Sequence, residues 1–133
     1  MNVPKIVIDT NLLVAAFFNK KSASFQIVEM ARRGDVHVLW TREIRREAIH
    51  ILRNVKAGKE FAQFFREDFQ VKNPPKVRVV KEDPDDNKFL ACAVGARANL
   101  VVSSDRALLD VKIFQGIPVM TPKDALKRLK HHD

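Results

Sequence analysis

The chain is predicted to fold as an α/β protein, a three-layer α/β/α sandwich around a central, mainly parallel twisted sheet. Three observations point there. Short, almost wholly apolar runs at Lys5–Ile8 and Leu100–Ser103 suit strands buried on both faces. Segments with helical spacing of apolar residues lie between the strand segments. Strand and helix alternate to the end of the chain, as crossover connections between parallel strands require.

Taken in order, Lys5–Ile8 (KIVI) is the first strand and ends at Asp9. A helix is expected from about Ser24 to Arg33, then a turn at Gly34 and a strand over Val36–Trp40. Thr41 is placed as the N-cap of a helix running through Leu52. A basic helical stretch carrying Phe61, Phe64 and Phe65 follows and ends at Asn73-Pro74-Pro75. Val77–Val80 reads as a strand, and Pro84 with its acidic neighbours opens a helix over about Asp85–Ala98. Leu100–Ser103 (LVVS) is the next strand, followed by a short helix near Ala107–Leu109. Gly116 leads to a last strand at Val119–Met120. Thr121-Pro122 matches a cap followed by proline at the first helical position, with Ala125 and Leu129 on the helix's inner face. With no repeat, low-complexity tract or linker, residues 1–130 are read as one domain and 131–133 as a C-terminal tail.

Composition narrows the function classes. At 133 residues, 46% hydrophobic and 30% charged, the chain can bury one core and is neither disordered nor membrane-like. Its longest apolar run, Leu12–Phe18, is too short to span a bilayer, and Asp9 interrupts any signal-peptide core. A cytoplasmic location is expected. The one cysteine, Cys92, excludes an intrachain disulfide and a cysteine-rich zinc site; between Ala91 and Ala93 it reads as a packing residue. The four histidines show no metal-ligand spacing. A net charge of +8 favours polyanionic partners through counterion release. Solubility, or a thermophile's charged surface, explains the same charge equally well, so basicity suggests a partner and names no chemistry.

The chemistry comes from the acids. Asp9 directly follows the first strand and Asp105 follows the LVVS strand after one residue, so both are expected on the carboxyl rim of the sheet, where open α/β sheets bind ligands. A lone aspartate there is usually a turn or cap residue, but two on strands expected to be central favour a site. On the helix after Thr41, Ile44, Ala48, Ile51, Leu52 and Val55 form an apolar stripe. Glu47 lies roughly 60° from its middle and Glu43 roughly 100°. Glu47 is therefore the better inward candidate, with an exposed pairing to Arg46 or Arg53 as the plain alternative. In Glu82-Asp83-Pro84-Asp85-Asp86-Asn87, acids at a helix start explain one or two as caps. Asp86 shares its face with Phe89, Leu90 and Ala93 and is aimed at the sheet, which leaves Asp85 as the cap.

Four converging carboxylates repel one another unless protonated or bridged by a cation. All-oxygen donors favour Mg²⁺ or Mn²⁺ over zinc. Such an ion activates water and offsets charge on a phosphodiester. The arrangement requires that the four acids meet in one pocket without a lysine or arginine of the chain among them.

These residues resemble the PIN-domain family, and in particular the VapC-like toxin nucleases of prokaryotic toxin–antitoxin pairs. The resemblance rests on VIDTNLL (Val7–Leu13), Thr41 with Ile44 and Glu47, DNKFLACA (Asp86–Ala93), LVVSSDRALL (Leu100–Leu109), and the closing Gly116–Pro122 segment. It runs in order over essentially the whole chain. It implies that Asp9, Glu47, Asp86 and Asp105 hold Mg²⁺ or Mn²⁺, with Asn11 orienting the first acid and Ser103 hydrogen bonding near the metal. Ser103 stands where the family more often has threonine. The implied reaction is hydrolysis of single-stranded or structured RNA by metal-activated water, leaving a 5′-phosphate and a 3′-hydroxyl. Arg42, Arg45, Arg46, Arg53, Lys56 and Lys59 then give a basic stretch suited to RNA phosphates, although a solvated helix face looks the same in sequence. A homodimer and a small antitoxin follow by analogy, with Phe17, Phe18, Phe61 and Phe65 as surface candidates and core packing as their simpler role.

Other classes fit less well. A receiver-type phosphoacceptor domain needs an acid pair after its first strand and a lysine after its last; Asp9 stands alone, and Pro118–Pro122 holds no lysine. The four glycines form no dinucleotide or P-loop signature. The remaining rival is a catalytically silent PIN-like module that binds RNA or protein.

Overall fold

The first strand, β1 (Lys5–Ile8), is wholly apolar after Lys5, and its residues turn alternately to the two faces of the sheet. A computed structural model of the chain describes residues 2–53 and 65–131. After β1 come α1 (Thr10–Phe18), α2 (Ala23–Arg32), β2 (His37–Val38) and α3 (Arg42–Leu52). A 3-10 turn at Glu67–Phe69 and a second at Pro84–Asp86 lead into α4 (Asn87–Gly95). Then follow β3 (Leu100–Val102), α5 (Arg106–Leu109), β4 (Ile113–Phe114), β5 (Ile117–Met120) and α6 (Pro122–Lys130). The strand order is β2-β1-β3-β5-β4, parallel except for β4, which pairs antiparallel with β5.

The expected three layers are present. Ile6, Ile8, Leu100 and Val102 face one side, against Leu13 of α1, Ile27 of α2 and Leu129 of α6. Val7, Val101 and Val119 face the other, against Phe89 and Leu90 of α4 and Leu108 of α5. Each fully buried aliphatic side chain of this kind contributes roughly 1.5–3 kcal/mol. Cys92 is fully buried among them, and burial pushes its thiol up to about 12. Among the described residues no helix is long and apolar enough to cross a membrane.

Several local expectations need correction. The run Leu12–Phe18 belongs to α1, a helix the sequence concealed because almost every position is apolar and no period stands out. Leu12, Leu13 and Ala16 are buried, while Phe18 is 71% exposed. Val77–Val80 joins no sheet. The amides of Val79 and Val80 donate instead to Asn87 Oδ1 at 3.0 and 2.9 Å, and Asn87 Nδ2 donates to the carbonyls of Val80 and Pro84. A side chain thus replaces the neighbouring strand. On α3, Ile44, Ala48 and Leu52 are buried but Ile51 is exposed, and Val55 lies outside the described residues.

β2 is shorter than expected, since Trp40 bridges to Gln70 after the chain has left β1. β4 was not foreseen. It is joined to β5 by Gln115-Gly116, both at positive φ, the two-residue hairpin turn whose twist matches its strands. Phe17 and Phe65 pack partly buried against the core, whereas Phe61, Phe64, Lys56, Lys59 and residues 132–133 lie outside the described residues.

Candidate metal centre

From β1 the chain crosses to β2 on one side and later returns to β3 on the other, so β1 and β3 flank a topological switch point. Their carboxyl ends open the crevice where such sheets bind ligands. Asp9 stands at the end of β1 and Ser103 and Asp105 just past β3. The Asp9 amide donates to the Val102 carbonyl at 3.0 Å, extending the ladder to the rim.

Both aspartates cap helices. Asp9 Oδ1 accepts the Asn11 amide at 3.0 Å at the start of α1, and Asp105 Oδ1 accepts the Ala107 amide at 2.9 Å at the start of α5. Capping and convergence are therefore the same geometry rather than alternatives. Asn11 orients Asp9 through its main-chain amide. Ser103 Oγ, fully buried, donates to Asp9 Oδ2 at 3.0 Å and accepts the Asp105 amide at 2.9 Å. One hydroxyl thereby ties the two rim acids together.

The third carboxylate arrives from the turn before α4. Asp86 is 7% exposed, and its Oδ2 is buried without a hydrogen-bond partner among the described residues. Asp83, Asp86 and Asp105 each offer an oxygen, all within 4.8 Å of one another. Burial first, then the adjoining Asp105 carboxyl and the charges of Asp83 and Asp9, push Asp86 up to about 7. Asp9 is also raised, chiefly by burial, against the opposing Asn11 and Ser103 hydrogen bonds, with Asp105 and Glu47 adding repulsion. An orphaned buried oxygen amid repelling carboxylates fits a hard dication with oxygen ligands, and offers nothing that selects zinc.

Glu47, on α3, is half-buried and close enough for its charge to act on Asp9. Its Oε2 is taken by Lys88 Nζ, which also donates to Asp85 Oδ2 at 2.8 Å. Asp85 is therefore no cap: its side chain is 67% exposed, and the Lys88 hydrogen bond lowers its pKa. Burial works against the Lys88 charge, but its two carboxylate partners outweigh that and raise its pKa. Thus a lysine does reach the group, at Glu47 rather than among Asp83, Asp86 and Asp105. Sequence reasoning missed both Lys88 and Asp83. The signal for Lys88 was its place three residues after Asp85 on a buried helix; Asp83 was hidden in an acidic run that capping already explained. Arg42, Arg45, Arg46 and Arg53 are all exposed on or just after α3.

A family model described as PIN domain matches residues 5–107, a span that contains every acid named above. No curated protein matches the sequence. PIN domains are generally nucleases that use divalent metals. With the matched span covering most of the chain, this protein belongs to the PIN-domain family.

Proposed function

We propose that the chain is a Mg²⁺- or Mn²⁺-dependent endoribonuclease, acting on single-stranded or structured RNA as the toxin of a type II toxin–antitoxin pair. The observation that carries the nuclease reading is Asp86 Oδ2, buried and unpartnered beside Asp83 and Asp105. In this reading Asp86 and Asp105 would hold the ion, with Asp83 beside them and Asp9 and Glu47 near enough for their charges to be felt. When bound, the dication lowers the pKa of water and offsets charge on the phosphodiester.

The chain's own residues do the rest. Ser103 and the Asn11 amide fix the Asp9 carboxylate, so its rotamer is set before any ligand arrives. Asp86, its carboxyl pushed up to about 7, would release a proton on taking up a dication. Exposed Arg42, Arg45, Arg46 and Arg53 draw the RNA backbone towards an otherwise acidic crevice.

Cleavage of single-stranded RNA in Mn²⁺, abolished by EDTA and by Asp9→Asn, is the expected result. Metal-independent retention of RNA on a gel without fragments would instead identify a silent binding module. The toxin role rests on the VapC-like motifs. It is tested by growth arrest on expression, reversed when a small protein encoded beside the gene is co-expressed. A homodimer in the cytoplasm is part of the same proposal, and among the described residues Phe18 is an exposed aromatic available to a partner. Light scattering of the purified chain checks the dimer.

A further inference from the structure

Among the described residues, Lys88 is a buried cation that the nuclease reading leaves without a role. Its side chain is only 4% exposed, and its ammonium is held by Glu47, by Asp85 at 2.8 Å, and 5.0 Å from the Phe89 ring centroid. Such an ammonium does not leave its partners freely, because a buried unpaired charge is costly. Glu47 is tied to it through one oxygen. Its Oε2 belongs to Lys88, while Asp83, Asp86 and Asp105 gather their oxygens without it.

We infer that Lys88 is a built-in cation that stands in for a second metal, holding Glu47 out of the coordination sphere and limiting the centre to one dication. A second ion in a two-metal site sits ~3.5–4 Å from the first and needs further oxygen ligands around it. Glu47 is near enough for its charge to act on Asp9, and the charge of Lys88 already neutralises it. Lys88 acts through Glu47 and is a positioning residue. The inference rests on the metal-centre reading above.

The test is calorimetric binding of Mn²⁺ alone to the full chain and its variants. The wild type is expected to bind one Mn²⁺ per chain, with binding lost in Asp86→Asn. Lys88→Met, which keeps the stem and removes the charge, is expected to bind two. Lys88→Met/Glu47→Gln removes the ion pair without changing net charge and guards against misfolding of the single variant. It is expected to bind one Mn²⁺ within about threefold of wild-type affinity, the scale of removing an ion pair that touches no metal.

Two Mn²⁺ on the wild type, an unchanged single site in Lys88→Met, or a loss of about tenfold or more in the double variant would overturn the inference while leaving the metal centre intact. If the wild type and Lys88→Met both bind none, the metal-centre reading fails and the inference fails with it. Binding by Lys88→Met alone supports it, since the ammonium then excludes even the first ion.

Discussion

Ser103 donates its hydroxyl to Asp9 Oδ2 at 3.0 Å, joining the residue that ends the third strand's run to the one that ends the first. The same oxygen of Ser103 receives the Asp105 amide at 2.9 Å. Two acids that are 96 residues apart in sequence are held by one side chain with no exposure to solvent.

Ser103→Ala removes this tie and leaves a cavity of one oxygen. RNA cleavage is expected to fall about 10- to 100-fold, the usual cost of losing a group that orients a metal ligand. Stability should fall by only about 1–2 kcal/mol. Steady-state cleavage and thermal melting on the same preparation separate the two effects.

Asp86 and Asp85 are expected to behave as opposites. Asp86→Asn should lower activity by at least about 100-fold, as removal of a group that stabilises developing charge does. Asp85→Asn should cost less than about fivefold, since Asp85 is itself largely exposed and Lys88 keeps Glu47 as a partner. Activity abolished in the second and kept in the first would reverse the assignment.

The raised Asp86 carboxyl sets a pH dependence. Its folded pKa is about 7 against an ordinary value of 3.8, so between those limits the folded chain binds more protons than the unfolded one. By linkage this group makes stability fall as pH rises from about 4 to about 7, and level off above. Melting temperatures in EDTA across that range should show the decline, and Asp86→Asn should flatten it. Added Mn²⁺ should raise the melting temperature more at pH 8 than at pH 5.5, because at the lower pH it must displace a proton.

Asn87 is expected to matter for folding more than for chemistry. Asn87→Ala unpins Val79 and Val80 and strands four hydrogen-bonding groups. A loss of about 2–3 kcal/mol follows if the freed amides are not rehydrated, readable as a lower urea midpoint.

The arginines of α3 make a salt-dependent contribution if they meet RNA. Arg45→Gln/Arg46→Gln should raise KM while leaving kcat nearly unchanged. It should also flatten the dependence of log affinity on log salt by about 0.7 for each phosphate no longer neutralised. Unchanged salt dependence would return these side chains to a solvated helix face.

Sequence pattern by itself determined the layers, the parallel sheet and the rim on which Asp9 and Asp105 stand. Apolar runs and caps are local signals, and Thr41, Thr121 and Pro122 act where their chemistry predicts. It also aimed Asp86 inward, because Phe89, Leu90 and Ala93 on the same face are buried. It lost α1 where a uniformly apolar segment has no period, and it made a strand of Val77–Val80, whose extended backbone is satisfied by Asn87. Only the tertiary structure decided which acids share space and which cation joins them. The meeting of Asp83 with Asp105 and of Lys88 with Glu47 depends on how helices pack across the switch point. No local propensity encodes such pairings, since electrostatic partners are set by distance in space and not by spacing along the chain.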